Sequence, residues 1–301
     1  MNNYEQTIFN DKNTEILHSF PETTVDVLTP NIFVKQDLTI EYAITRYTDK
    51  FVFYKNDTII GNSLRHYGEY TELEIELLKN FLNKNSIVYD VGANIGYHTL
   101  AFSKLAKHVY AFEPNKKNYK LLKKNTEYLD NVSLYDIACS DSNTELHVED
   151  FDTNVPGNYG EMHTQDVGQS CNAIRIDDLD DVYGPDLIKI DVEGHELPVL
   201  KGCYLTITEF NPIIFYEAHG SDLAEIYDYL TNLDYTLYWY PCMNFNVNNY
   251  RKNPNNVFGH GSVVNILAMP KTHKKISNLI QVLDRDDTIQ LAFKRAQELN
   301  K

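Results

Sequence analysis

Residues 86–105 read SIVYDVGANIGYHTLAFSKL, and this stretch decides the fold. SIVYDVG is a β-rich run that stops in a glycine turn. YHTLAFSKLAK, which follows from Tyr97, carries apolar residues at helical spacing. The same alternation continues outward. HVYAFEP is a second strand, and PNKKNYKLLKKNTEYL is a helix with Pro114 in its first turn. VSLYDIACSD is a third strand. After a less regular stretch, 143–184, come the strand DLIKIDVEG, the helix HELPVLKGCYLTITEF, the strand NPIIFYEAH and the helix SDLAEIYDYLTNL. YTLYWYP and SVVNILAMP are late strands on either side of the Asn-rich run CMNFNVNNYRKNPNNVFGHG. Alternation of this length predicts an α/β fold: a doubly wound, mostly parallel sheet with helices on both faces.

The flanks are read around that unit. Residues 1–36, rich in Asn, Asp and Thr, are an arm. LTIEYAITRY, KFVFYKN and DTIIGN form a small β meander. Thr71 and Glu74 make a capping box for the helix TELEIELLKNFL. The run that begins at Asp150 and covers 151–171 is a long loop, a candidate lid. Lys274 to Leu299 predicts a C-terminal helix. The organisation is therefore an N-terminal arm, meander and capping helix (1–80), a Rossmann-like domain (81–270) and a C-terminal helix on the same domain (271–301).

The chain has 301 residues, with 27 basic and 43 acidic side chains and a net charge of −16. That balance speaks against a nucleic-acid partner, whose phosphates are bound by Lys and Arg. No window approaches the ~20 apolar residues of a membrane span. The first residues lack the basic end and apolar run of a secretory signal. The four cysteines lie 32 or more residues apart, without zinc or redox spacing. The expectation is a cytoplasmic protein with reduced thiols. The arm and the C-terminal helix are candidates for a homodimer contact.

In open α/β sheets the ligand sits beyond the carboxyl ends of the strands. After the first strand comes Asp90-Val91-Gly92-Ala93-Asn94-Ile95-Gly96, and Glu113, 23 residues beyond Asp90, ends the second. A carboxylate in the latter place can accept from both ribose hydroxyls. A dinucleotide loop would read G-x-G-x-x-G, whereas this one has two glycines four apart with an acid before them. Asp90 would repel a pyrophosphate but not an ammonium or a sulfonium. The turn therefore favours S-adenosylmethionine over a nicotinamide or flavin.

VYDVGANIGYHTLAFS, AFEPN and LIKIDVEGHELPVLKG, with RHYGEYTELEIELL upstream and IIFYEAH downstream, resemble the signature segments of the FkbM family of S-adenosylmethionine-dependent O-methyltransferases. The resemblance spans roughly residues 40 to 270 and implies a class I methyltransferase fold. It implies that Gly92, Ala93, Asn94 and Gly96 hold the methionine portion of the cofactor, with Asp90 near its amino group. Glu113 and Pro114 would lie at the ribose. Asp136, Ala138 and Cys139 would lie by the adenine, and Tyr70 and Glu72 would close from the N-terminal side. Segments 1–36, 151–171, 242–260 and 275–301 match no family segment and are where substrate identity would be written.

Transfer of a methyl group to oxygen requires a positioned hydroxyl and an acceptor for its proton. Asp191, Glu193, His195 and Glu196 follow the fourth strand, and Glu217 and His219 follow the fifth. A helix N-terminus disfavours protonated His, so His195 is a candidate base. His219 is the other, and Asp191, Glu193 and Glu217 would orient the base or the substrate. The donor set also suits a divalent cation, which the resemblance does not require. The function expected is O-methylation of a small molecule or glycan, with a sugar hydroxyl favoured. Rival readings are an RNA or protein methyltransferase on the same fold, and a non-catalytic cofactor-binding scaffold.

Overall fold

The computed structural model describes residues 38–218, 222–273 and 278–299. β1 (Ile40–Ala43) and β2 (Phe51–Tyr54) form an antiparallel pair. DTII does not add a third strand. Asp57 accepts the amides of Ile59 and Gly61 at 2.8 and 3.0 Å, and the chain turns there into α1 (Ile60–Tyr67). α2 (Glu72–Leu78) runs into a 3₁₀ turn at Lys79–Phe81.

The main alternation follows as β3 (Ile87–Val91), α3 (Tyr97–Leu105), β4 (His108–Phe112), α4 (Lys116–Thr126) and β5 (Val132–Tyr135). The third predicted strand breaks after Tyr135. Its remainder, β6 (Ala138–Cys139), leaves the main sheet and joins β7 (Thr144–Val148), β8 (Thr164–Gln165) and β9 (Gln169–Ile174) in a small sheet of order β6-β9-β7-β8. The stretch read as irregular is thus a second sheet, closed by a 3₁₀ turn at Ile176–Asp178. β10 (Leu187–Ile190) returns to the main sheet. The helix after it is split at Cys203 into α5 (Glu196–Gly202) and α6 (Tyr204–Phe210). β11 (Ile213–Glu217), α7 (Leu223–Asn232), β12 (Tyr235–Met243), β13 (Ser262–Pro270), β14 (Ile280–Gln281) and α8 (Ile289–Leu299) complete the chain. The C-terminal helix begins 15 residues later than its periodicity suggested, and 274–277 lie outside the described residues.

The main sheet has the order β14-β12-β13-β11-β10-β3-β4-β5. β5, β4, β3, β10 and β11 are parallel, and β13, β12 and β14 add as antiparallel neighbours. This is the Rossmann-like class I arrangement, and its strand order reverses between β3 and β10. Every residue of β3 is buried, as a strand covered on both faces requires. Alternate side chains go to different cores. Tyr89, Val91, Ile188 and Ile190 pack with Leu200 of α5 and Ile226 of α7. Val88, Val109 and Leu187 pack with Leu78 of α2 and Phe102 of α3 on the other face. The sheet is therefore sealed on both sides, and the carboxyl ends of β3, β4, β10 and β11 are where a ligand can enter. Among the described residues no helix is long and apolar enough to cross a membrane.

Candidate active site

A cavity of about 290 Å³ lies at those carboxyl ends. Gly92, Ala93 and Asn94 line it from the β3 turn, and Glu113 and Pro114 from the end of β4. Ala138 and Cys139 come from β6, Asp191, Glu193 and His195 from the loop after β10, and Glu217 from the end of β11. Tyr70 lines it from the N-terminal side. One wall comes from the predicted loop, through Asn158, Gly160, Glu161 and Met162. That segment is fastened by a parallel bridge between Gly157 and Asp57, and by Asn118, whose Nδ2 donates to the Tyr159 carbonyl at 3.0 Å.

Four of the expected residues stand elsewhere. Asp90 is fully buried behind the turn and absent from the cavity lining. Thr99 donates to its Oδ2 at 2.6 Å, and the Lys189 ammonium stands 3.6 Å from its Oδ1. Lys189 is its direct cross-strand neighbour on β10. The charge meant for a cofactor cation is thus taken by a lysine of the protein, and the electrostatic argument from Asp90 does not hold. Glu72 is buried against Tyr47, whose hydroxyl donates at 2.6 Å, and Arg46 at 3.1 Å, away from the cavity. Burial raises its pKa to about 7. Asp136 is exposed and does not reach the lining. Gly96 caps α3 with its Cα against Leu122, where an added Cβ would stand 2.7 Å from Leu122 Cδ1. His219 lies outside the described residues.

The turn itself is internally satisfied. The amides of Gly92 and Ala93 donate to the Phe112 carbonyl at 3.0 and 2.9 Å, and Gly96 N donates to Ala93 O at 2.9 Å. Asn94 N donates to Glu113 Oε2 at 2.8 Å, while Glu113 Oε1 accepts from Asn115 N at 2.8 Å. Burial raises the Glu113 pKa to about 7 although these two amides oppose the shift. Gly92 has φ +77°, and a Cβ there would lie 1.8 Å from the Asp191 carbonyl. Its role is to let the ends of β3 and β10 approach, a packing need rather than a ligand contact.

The loop after β10 concentrates charge. Asp191, Glu193 and Glu217 each bring a carboxylate oxygen within 4.8 Å of the others, a spacing that would hold a divalent cation. Glu193 sits at φ +54°, a left-handed conformation that a non-glycine side chain rarely adopts. The turn is held by Glu196, whose Oε1 accepts from Val192 N and Gly194 N at 3.3 and 3.2 Å. Burial, then Asp191, raises Glu193 to about 8. Burial, then Asp191 and Glu193, raises Glu217 to about 9. Glu217 Oε2 is buried without a hydrogen-bond partner among the described residues. His195 Nε2 lies 3.0 Å from Ser140 Oγ, and burial lowers its pKa, so the ring is neutral at pH 7.

Sequence reasoning missed a second polar group. Thr71 does not cap α2. It adopts φ 43°, ψ 38°, a strained conformation for a β-branched residue, and turns its Oγ to within 3.1 Å of His98 Nε2. Glu74 leaves the predicted capping box as well. Its Oε2 lies 3.3 Å from His98 Nε2 and its Oε1 accepts from Asn265 Nδ2 at 3.0 Å. Thr71, Glu74, His98 and Asn265 all line the cavity, as does Lys189. A strained residue and a broken capping pattern at one place are a usual mark of a functional site.

Residues 90–237, 148 of the 301 residues, match the Methyltransferase FkbM domain. Hexuronic acid methyltransferase AglP of Haloferax volcanii is 29% identical over 156 residues, which are 50% of this chain and 64% of that protein's length. Among solved structures, Methyltransferase FkbM from Methylobacillus flagellatus KT superposes with a TM-score of 0.42 at 19% identity, covering 61% of this chain and 43% of that one. Precorrin-6y C5,15-methyltransferase from Geobacter metallireducens GS-15 superposes with a TM-score of 0.40 at 17% identity, covering 65% and 86%.

Proposed function

We propose that this protein is an S-adenosylmethionine-dependent O-methyltransferase whose acceptor is a hydroxyl of an uncharged sugar or other polyol. The observation that carries this reading is one continuous cavity. It runs from the β3 turn and Glu113 to the carboxylates of Asp191, Glu193 and Glu217. When bound, the donor supplies a sulfonium-activated methyl group for in-line displacement by an oxygen. Glu113 accepts from a ribose hydroxyl with the lone pairs its two backbone amides leave free. Glu217 takes the acceptor's proton, because its buried Oε2 has no other partner among the described residues. With a pKa of about 9 it is protonated in the empty cavity at neutral pH, and a cation nearby draws it back to the carboxylate. Neutral His195, held by Ser140, serves as a polar wall. A divalent cation held by Asp191, Glu193 and Glu217 would acidify a bound hydroxyl.

AglP's name specifies a hexuronic acid, a sugar with a carboxylate. Here six carboxylates, those of Glu74, Glu113, Glu161, Asp191, Glu193 and Glu217, line the cavity, and Lys189 is held by Asp191 at 3.1 Å. That balance favours an uncharged polyol. Incubation with the methyl donor and matched panels of neutral glycosides and uronides, read by mass spectrometry, tests the reading. Methylated neutral glycosides are expected from wild type and at least 100-fold less from Glu217→Gln, of the order general-base catalysis contributes. Turnover confined to uronides, or undiminished in Glu217→Gln, would overturn it.

A further inference from the structure

The turn expected to hold the methionine end of the donor has no amide to spare. Gly92, Ala93, Asn94, Ile95 and Gly96 all donate within the protein. Asp90, the expected partner of the ammonium group, is walled off behind Thr99 and Lys189. The residues at the start of α2 offer what the turn lacks. Glu74 is almost wholly buried yet faces the cavity, and its two oxygens are aimed by His98 and Asn265. A carboxylate so placed selects the His98 tautomer with its proton on Nε2. Nε2, 3.3 Å from Glu74 Oε2, then donates to Thr71 Oγ, and the Thr71 hydroxyl proton is left to donate into the cavity.

We propose that the donor's amino-acid end is held by these residues: Glu74 receives its ammonium group and Thr71 donates to its carboxylate, with His98 and Asn265 as positioning residues. The assignment rests on the S-adenosylmethionine reading above. It accounts for the left-handed Thr71, which a helix cap does not need, and for a buried carboxylate facing a cavity.

Calorimetric binding of two ligands tests it. S-adenosylhomocysteine carries the amino-acid end, and 5′-methylthioadenosine keeps the adenosine and the sulfur without it. Glu74→Gln and Thr71→Val are each expected to weaken S-adenosylhomocysteine by about 10- to 100-fold, the range for a hydrogen bond to a charged group. Both should leave 5′-methylthioadenosine unchanged, which also shows that the variants fold. Unchanged S-adenosylhomocysteine binding, or an equal loss for both ligands, would overturn the assignment. A wild-type protein that binds neither ligand would overturn the donor reading itself.

Discussion

Replacing Lys189 by Met removes one charge from a place where nothing can replace it. The lysine side chain is 3% exposed and Asp90 0%. Burial opposes the ammonium, but Asp191, Asp90 and Glu74 outweigh it and hold its pKa above the ordinary lysine value. Without it, Asp90 keeps the Thr99 hydroxyl on one oxygen while the other faces an apolar thioether. Breaking a buried pair in this way costs about 3–5 kcal/mol, a large part of the ~5–15 kcal/mol that holds a domain together. Urea unfolding at pH 7 should show that loss in the midpoint. Lys189→Met with Asp90→Asn should recover most of it, because no charge is then left unpaired. The pH dependence has a definite sign. In wild type the contribution of Lys189, whose folded-state pKa is raised, is present throughout the neutral range and lost only as pH climbs through that raised value. A cost under about 1 kcal/mol, typical of an exposed pair, or a full cost persisting in the double variant, would refute the reasoning.

Further outcomes follow from the same geometry. Glu193 and Glu217, raised to about 8 and about 9, hold protons in the empty cavity, and a cationic ligand favours their ionised forms. The affinity for S-adenosylmethionine relative to S-adenosylhomocysteine, which lacks the sulfonium charge, should thus rise as pH climbs from about 6.5 to about 9; parallel calorimetric titrations with a flat ratio would contradict this. Gly92→Ala, with its Cβ 1.8 Å from the Asp191 carbonyl, should destabilise by more than about 3 kcal/mol. Gly194→Ala, at φ +92° in open space, should cost only the left-handed penalty of about 1–2 kcal/mol in the same denaturation assay.

The order of strands and helices from Ile87 to Leu230 was legible because buried parallel strands read as continuous apolar runs and their helices as periodic ones. The small sheet of β6 to β9 was not legible. Its strands are two to six residues long, with β7 to β9 partly exposed, too short for a period to emerge. Asp57 gave DTII to a helix through its side chain, a local effect that β propensity does not register. Glu113 and the Asp191, Glu193 and Glu217 group were legible as carboxylates ending strands. Asp90 was misread for want of Lys189. The signal was available, since two opposite charges at matching depth in adjacent buried strands pair across the sheet. Thr71 and Glu74 hid behind a capping pattern, and only the backbone conformation reveals their diversion to His98. The Asn-rich loop, within a segment where substrate identity was expected to be written, spends side chains on the protein: Asn246 donates to Glu69 at 2.7 Å and Asn253 to the His66 carbonyl at 3.2 Å.

The central claim is that the cavity holds an adenosyl methyl donor. Its most direct test is unfolding stability measured with S-adenosylmethionine, S-adenosylhomocysteine and NAD, each in excess. Ligand at ~100 times its dissociation constant should add about 2.7 kcal/mol. The account predicts that rise with the two adenosyl ligands and none with NAD. A rise with NAD alone, or with none of the three, would contradict it.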